Sequence, residues 1–587
     1  MVNNYDVLAR LSSVTRAGVQ LAGYQYNRNS QDSLSSLMPN MPTTKYLYNT
    51  RNWITLLQSS NSGNTFFREG LYYNPNGNIY SQYMDGNYND NFSNTENLYY
   101  HYTYDKSNRL TKSDADLRTD TENMYDLLMS YDPDGNFQSM TRTGSDKDHT
   151  DLFVYEYAAG TNKLMQIRGA NEYDYDQNGN LSRDDINHTW AMQYDFRNLL
   201  ISFKSIRHVS DKPEDPDHII YTEYAYDEAG NRISKKVWKY TGEDPDPVIE
   251  LESPGTWVQL TNDFYLRNTS GAEVAVYNST AIQFWNIWGI DNVGRINADT
   301  TKQFYLKDHL GSIRCALNSA STIISAQDFD AWGHEMEGRK YDAGSGNAKY
   351  LFTSKERDSE SDYDYYGARY YDSRIGRWGG VDISQDKNPD WTPYRAFFDN
   401  PLKFIDPNGK YELPQWVIDK YPKFSKFIEN ISERVQKNHR IMYALMRNTG
   451  LSEKIINDNL VFGQGPLIKV EKLKYTYGET HEPWKNEFKI DETTIQEFEN
   501  SSGTQKEIYE QFMEAIIFHE STHLGYYWGH FYGWIDDKIL SDPERGRSFE
   551  IDAYGMVFWD KDYAAHYLDY VNKKNGNYKT HYYEPDK

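Results

Sequence analysis

The chain has 587 residues, with 62 Lys+Arg against 86 Asp+Glu for a net charge of −24, and a mean hydropathy of −0.86. Such polarity is common in disordered chains, but 52 tyrosines in an aromatic fraction of 16% offer rings that bury while their hydroxyls keep partners, which favours a folded, tyrosine-built protein. The acidic balance argues against nucleic acid as the main partner, and the single Cys315 excludes an intramolecular disulfide and every zinc site that needs two thiolates.

Any metal therefore falls to His and carboxylate. Apolar runs such as Ala515 to Phe518 stop far short of the ~20 residues of a membrane span. At roughly 100 to 200 residues per domain, the length predicts three or four units, or one repetitive body with an appended domain. The opening MVNNYDVLAR has no charged leader followed by an apolar stretch, so a signal peptide is not expected. A chain without one is cytoplasmic before export and secreted, or delivered to a target cell, by a dedicated secretion system. Because Tyr5 already lies inside a repeat, a fragment of a longer ancestor is expected.

The repeat is Tyr-Asp-x-x-Gly-Asn. It reads YDPDGN at Tyr131 to Asn136, YDQNGN at Tyr175 to Asn180 and YDEAGN at Tyr226 to Asn231, with YNPNGN at Tyr73 to Asn78 and looser copies from Tyr5, Tyr48, Tyr104 and Tyr194. Asp bonds its own downstream backbone and Gly accepts positive φ, so each copy predicts a turn between two strands. One such hairpin cannot bury its apolar face alone, which predicts stacking into a continuous sheet. Its polarity predicts a thin wall with both faces solvated, and the variable spacing predicts loops at Lys212 to Asp217 and Gly242 to Pro247.

Denser phrases follow: YLKDHLGSIR from Tyr305, YLFTSKERD from Tyr350, YDYYGARYYDSRIGRW from Tyr363 and NPLKFIDPNG from Asn400. On these phrases residues 1–409 resemble the RHS, or YD-repeat, family with its repeat-associated core. The resemblance implies YD repeats over 1–300, a core over 301–409, and a mainly β repeat shell made of a coiled hairpin ribbon. It also implies a smaller α+β C-terminal domain over 410–587, often a toxin enclosed by the shell, with an immunity protein as partner. Some relatives cut themselves near this boundary with aspartates, and Asp382 and Asp406, with Arg369 nearby, hold comparable places. The sequence departs from that pattern after Asp382 and after Gly409, so a turn-forming Asp406 is the expectation. From Lys410 to Lys587, 23 basic and 29 acidic residues leave −6, and hence −18 for the preceding 409.

In the last segment, Ile508, Phe512, Ala515 and Ile516 recur at helical spacing, and His519-Glu520-Ser521-Thr522-His523 continues the stripe. Histidines four apart on a helix face one Zn2+ ion, with Glu520 as the general base beside its water. Catalytic zinc takes a third protein ligand. His530, seven residues beyond His523, does not fit the elongated zincin spacing, whereas Glu550 in SFEIDAYG resembles the downstream ligand of Glu-type zincins, with Asp552 as the alternative. Tyr554 is a candidate oxyanion donor, and Asn486 to Ile490 reads as a strand that offers an edge to an extended substrate. Together these predict a polymorphic toxin whose shell carries a zinc metallopeptidase against proteins of a competing cell. The competing readings are a non-enzymatic YD-repeat scaffold with a binding module, and a toxin with another zinc-dependent hydrolysis.

Overall fold

The computed structural model describes the chain apart from residues 7–9, 28–30, 93–94, 96, 117–123, 146–149, 170, 208–217, 242–256, 269–270, 280, 345–348, 383–390, 407–412, 415–420, 430–438, 450–466, 472, 474–476, 480–486, 502, 532–549, 551–552 and 555–587. The two expected loops lie outside the described residues. The chain divides into two compact units, Leu11–Trp416 with Met1–Asn4, and Val417–Lys587 with Tyr5–Arg10.

In the first unit each repeat phrase is a hairpin turn with a specific reason for each letter. At Asp132 the backbone N–H donates to the Asn136 carbonyl at 2.9 Å, and the carboxylate accepts the Asn136 N–H at 2.8 Å and its side-chain amide at 2.9 Å. Asp176 and Asn180 repeat this at 2.8 and 2.9 Å, and Asp227 and Asn231 at 2.8 and 3.0 Å. Gly135 sits at φ +83°, where a side chain is strained, and an added Cβ would meet Trp391 at 2.8 Å. Register slips by one residue at the tyrosine, so Tyr131 faces Phe137, Tyr175 faces Leu181 and Tyr226 faces Arg232. That bulge sharpens the local twist.

The tyrosine is required for its hydroxyl. Tyr131 donates to the carbonyl of Leu110 at 2.6 Å, Tyr157 to Phe137 at 2.7 Å, Tyr194 to Leu181 at 2.7 Å and Tyr226 to Leu200 at 2.7 Å. Each acceptor is the first residue after the preceding turn, and the same rule holds for Tyr48, Tyr73 and Tyr104 on Asp32, Ile54 and Ile79. After Tyr226 an arginine takes over: Arg267 Nε donates to the Arg232 carbonyl at 2.9 Å. Burial pushes these phenols up, Tyr175 to about 12, so they stay protonated donors.

Among the described residues twenty-eight strands from Val2–Tyr5 to Glu335–Asp342 form one sheet, and from Leu11–Arg16 onward each is antiparallel to its neighbours in sequence. This is the expected mainly β ribbon. The same turn recurs at Asp308 and Asp330, whose N–H groups donate to Ser312 and His334, so the ribbon continues through KDHLGS and DAWGH. Four short strands, Glu356–Asp358, Tyr363–Tyr365, Tyr370–Asp372 and Arg377–Trp378, form a second sheet.

That block packs against the ribbon, which corrects the expectation of two solvated faces. Tyr224 donates to Asp358 at 2.7 Å, Tyr363 to Asp184 at 2.6 Å and Tyr155 to the Ile375 carbonyl at 3.1 Å. At its centre Tyr366, Tyr371, Trp378 and Phe397 are buried with ring centroids 5.0 to 6.0 Å apart. The opposite face still shows Leu128, Leu152 and Val154 to solvent.

One tie within the ribbon titrates. His309 Nδ1 lies 2.8 Å from Glu69 Oε1, its backbone N–H donates to Glu69 Oε2, and Nε2 lies 3.1 Å from the Leu402 carbonyl. Burial disfavours the imidazolium, but the Glu69 carboxylate outweighs it and pushes His309 up to about 9. A raised histidine stabilises the fold fully below its unfolded value near 6.5, and that contribution, at most about 3 kcal/mol, fades as pH rises through 9. Urea midpoints should therefore fall between pH 6.5 and 9.5, and Glu69→Gln should flatten the dependence. A wild-type midpoint that holds steady over this range refutes the assignment.

In the second unit the described helices are Pro422–Glu429, His439–Thr449, Glu492–Asn500 and Gly503–Phe531. Asp491 caps the third of these, accepting the Thr494 N–H at 3.1 Å. The expected strand is Glu487–Asp491, and it is central rather than an edge: Leu467–Glu471 pairs parallel on one side and Gly478–Glu479 antiparallel on the other. On the antiparallel side the pairing covers Lys489 and Ile490, so at these residues both rows of backbone groups are taken. Among the described residues no helix is long and apolar enough to cross a membrane.

Candidate metal centre

Through its middle the helix Gly503–Phe531 is buried on every side, residues 511–518 without a break, so the expected one-sided stripe is part of a core helix. Tyr509, Phe512, Met513, Ala515, Ile516 and Phe518 are buried, and Tyr477 packs edge-on against Phe512 at 5.0 Å. The stripe delivers His519 to the border of this core with its side chain 21% exposed. Glu520 beside it is 7% exposed and Thr522, fully buried, donates to the Phe518 carbonyl at 2.7 Å.

Glu550 comes from a separate helical stretch and is 4% exposed. Its Oε1 lies 2.5 Å from His519 Nδ1. Two of the three expected ligands thus meet although 31 residues separate them. The His523 backbone continues the helix four residues on, but its side chain, like that of His530, lies outside the described residues, as does Asp552 altogether. Among the described residues no three His, Cys, Asp or Glu side chains form a metal-holding group. The donor chemistry nevertheless suits zinc: an imidazole in direct contact with a carboxylate, and a second imidazole one turn along the same helix.

Tyr554 is not poised as an oxyanion donor. Its hydroxyl donates to Glu514 Oε1 at 3.2 Å, and Gln511 Nε2 reaches the same oxygen at 3.1 Å. Glu514 was invisible as a site residue in the sequence. A glutamate in the middle of an apolar stripe, unable to stay buried without partners, is the signal that marks it.

The second cluster lies in the first unit. Arg369 reaches Asp382 Oδ2 at 3.1 Å through one nitrogen and Asp406 Oδ2 at 3.2 Å through the other, and its guanidinium stacks over Trp378 at 4.3 Å. Asp406 is 1% exposed and its carboxylate joins a buried ion pair, while the turn expected to begin there runs into residues 407–409, outside the described residues. The peptide bonds after Asp406 lie outside the described residues.

Comparison with known proteins divides along the same line. Residues 417–555 match the family model described as metallopeptidase toxin 3. A tRNA3(Ser)-specific nuclease WapA of Bacillus spizizenii is 25% identical over 324 residues, which cover 52% of this chain and 12% of that protein, and a tRNA nuclease WapA of Bacillus subtilis is 24% identical over a similar stretch. The chain therefore spans about an eighth of these relatives' length. Among solved structures, the TcdB2-TccC3-TEV crystal structure superposes with a TM-score of 0.54 at 18% identity, covering 69% of this chain and 20% of that one. The chain is thus a mostly β ribbon of the fold seen in that crystal structure, followed by a segment similar to metallopeptidase toxins.

Proposed function

We propose that the chain is a polymorphic toxin of the RHS type, whose β ribbon carries a C-terminal zinc metallopeptidase that hydrolyses peptide bonds in a target cell. The observation that carries this is the approach of Glu550 to His519 within a segment matched by a metallopeptidase toxin model. His519, His523 and Glu550 hold the zinc, which when bound supplies a Lewis acid and a water of lowered pKa. Glu520, 7% exposed, would take a proton from the attacking water and return it to the leaving amine.

The nuclease activity named for the Bacillus proteins belongs to proteins of which this chain spans 12%, and the HESTH helix carries a single lysine, Lys506, which pairs with Glu510. The toxin reading brings with it a secretion apparatus, an immunity protein in the producing cell and a protein substrate in the recipient. It is tested by stripping the full chain with a chelator: cleavage of an unfolded protein substrate should stop and return with added zinc. Undiminished cleavage in chelator refutes the metallopeptidase reading.

A further inference from the structure

Resting on the metal reading above, we infer that Glu514 and Tyr554 are positioning residues that set where the Glu550 carboxylate meets His519. Two hydrogen-bonded rungs join the helix Gly503–Phe531 to the stretch that bears Glu550: His519 to Glu550 at 2.5 Å and Glu514 to Tyr554 at 3.2 Å. The lower number on one side meets the higher on the other, so the two stretches run antiparallel.

The rungs are about 7.5 Å apart along the long helix, from five residues at 1.5 Å each. A single rung lets the second stretch pivot about its contact. Two rungs at that separation fix its tilt, and with it the direction from which the Glu550 carboxylate approaches the imidazole. Both members of the far rung are closed to water, Glu514 at 4% and Tyr554 at 3% exposure. The hydroxyl-to-carboxylate bond there is long at 3.2 Å, but water does not compete for it. Gln511, one turn before Glu514, bonds the same carboxylate oxygen and helps hold its rotamer.

Groups that orient metal ligands typically account for 10- to 100-fold in metal affinity. In the full chain, Tyr554→Phe, which keeps the ring, should weaken zinc binding by about that factor in a competition with a chromogenic chelator. The visible spectrum of the cobalt-substituted chain should shift with it. Glu514→Leu should do the same, whereas Glu514→Gln, which keeps an acceptor oxygen, should stay within about threefold of wild type. That rescue separates positioning from packing. If the Leu variant does not fold, Tyr554→Phe against Glu514→Gln carries the comparison alone. Wild-type affinity and an unshifted cobalt spectrum in Tyr554→Phe overturn the proposal while leaving the metallopeptidase reading intact. A wild-type chain that binds no zinc overturns that reading and the proposal with it.

Discussion

The Glu520→Gln chain should keep its zinc and lose peptidase activity by about 10²- to 10⁴-fold, the range that a positioned general base contributes. Glutamine has the same shape, so the 7%-exposed site stays packed and the helix turn between His519 and His523 is untouched. What disappears is only the ability to accept and return a proton. Zinc content by mass spectrometry and initial rates on an unfolded protein substrate, measured on the same preparation, separate the two effects. Equal rates for the two chains, with zinc present in both, mean that another group is the base. In recipient cells the substitution should remove toxicity without altering expression.

The largest stability effect is expected at Asp358. Its carboxylate, fully buried, accepts Arg232 Nη1 at 2.7 Å, Lys235 Nζ at 2.8 Å and the Tyr224 hydroxyl at 2.7 Å. Burial by itself raises a carboxyl, but Arg232 and then Lys235 outweigh it and hold Asp358 well below the usual range. Arg232 is itself fully buried, between Glu356 and the ring of Tyr365. Asp358→Asn keeps the volume and removes the charge, leaving two buried cations under-compensated. Breaking such a network costs about 3–5 kcal/mol. Urea unfolding followed by tryptophan fluorescence should show a loss of that size, and a loss under about 1 kcal/mol would mean that the second sheet is held to the ribbon by packing alone.

The repeats were legible because every letter of the phrase has a local reason. The Asp takes two N–H groups, the Gly supplies positive φ and the Asn returns the bonds, all within six residues. The tyrosine's purpose was not legible, since its acceptor lies near the previous turn, roughly twenty residues upstream. For the same reason the buried face was missed: a wall packed against Tyr363, Trp378 and their neighbours alternates in sequence just as a solvated wall does. At the metal centre, the helix and His519 followed from a four-residue spacing, and Glu550 from the resemblance to Glu-type zincins. Glu514 and the central position of Glu487–Asp491 depend on pairings between distant segments, which periodicity does not record. The ion pair of Asp406 was not legible because its partner, Arg369, is 37 residues away.

Because each tyrosine leans on the strand that leaves the turn before it, the ribbon has a direction, and a load on one end is felt by one repeat at a time. Pulling one tyrosine-bearing hairpin strains its backbone ladder together with that hydroxyl before the next begins to carry force. Such a wall yields by successive small events instead of one rupture. The pattern also survives a change in repeat number, since adding or removing a whole hairpin unit restores the same bond between whichever neighbours remain. Length is then a free variable of the design, and the fit of the second sheet, not the ribbon itself, limits how far it varies.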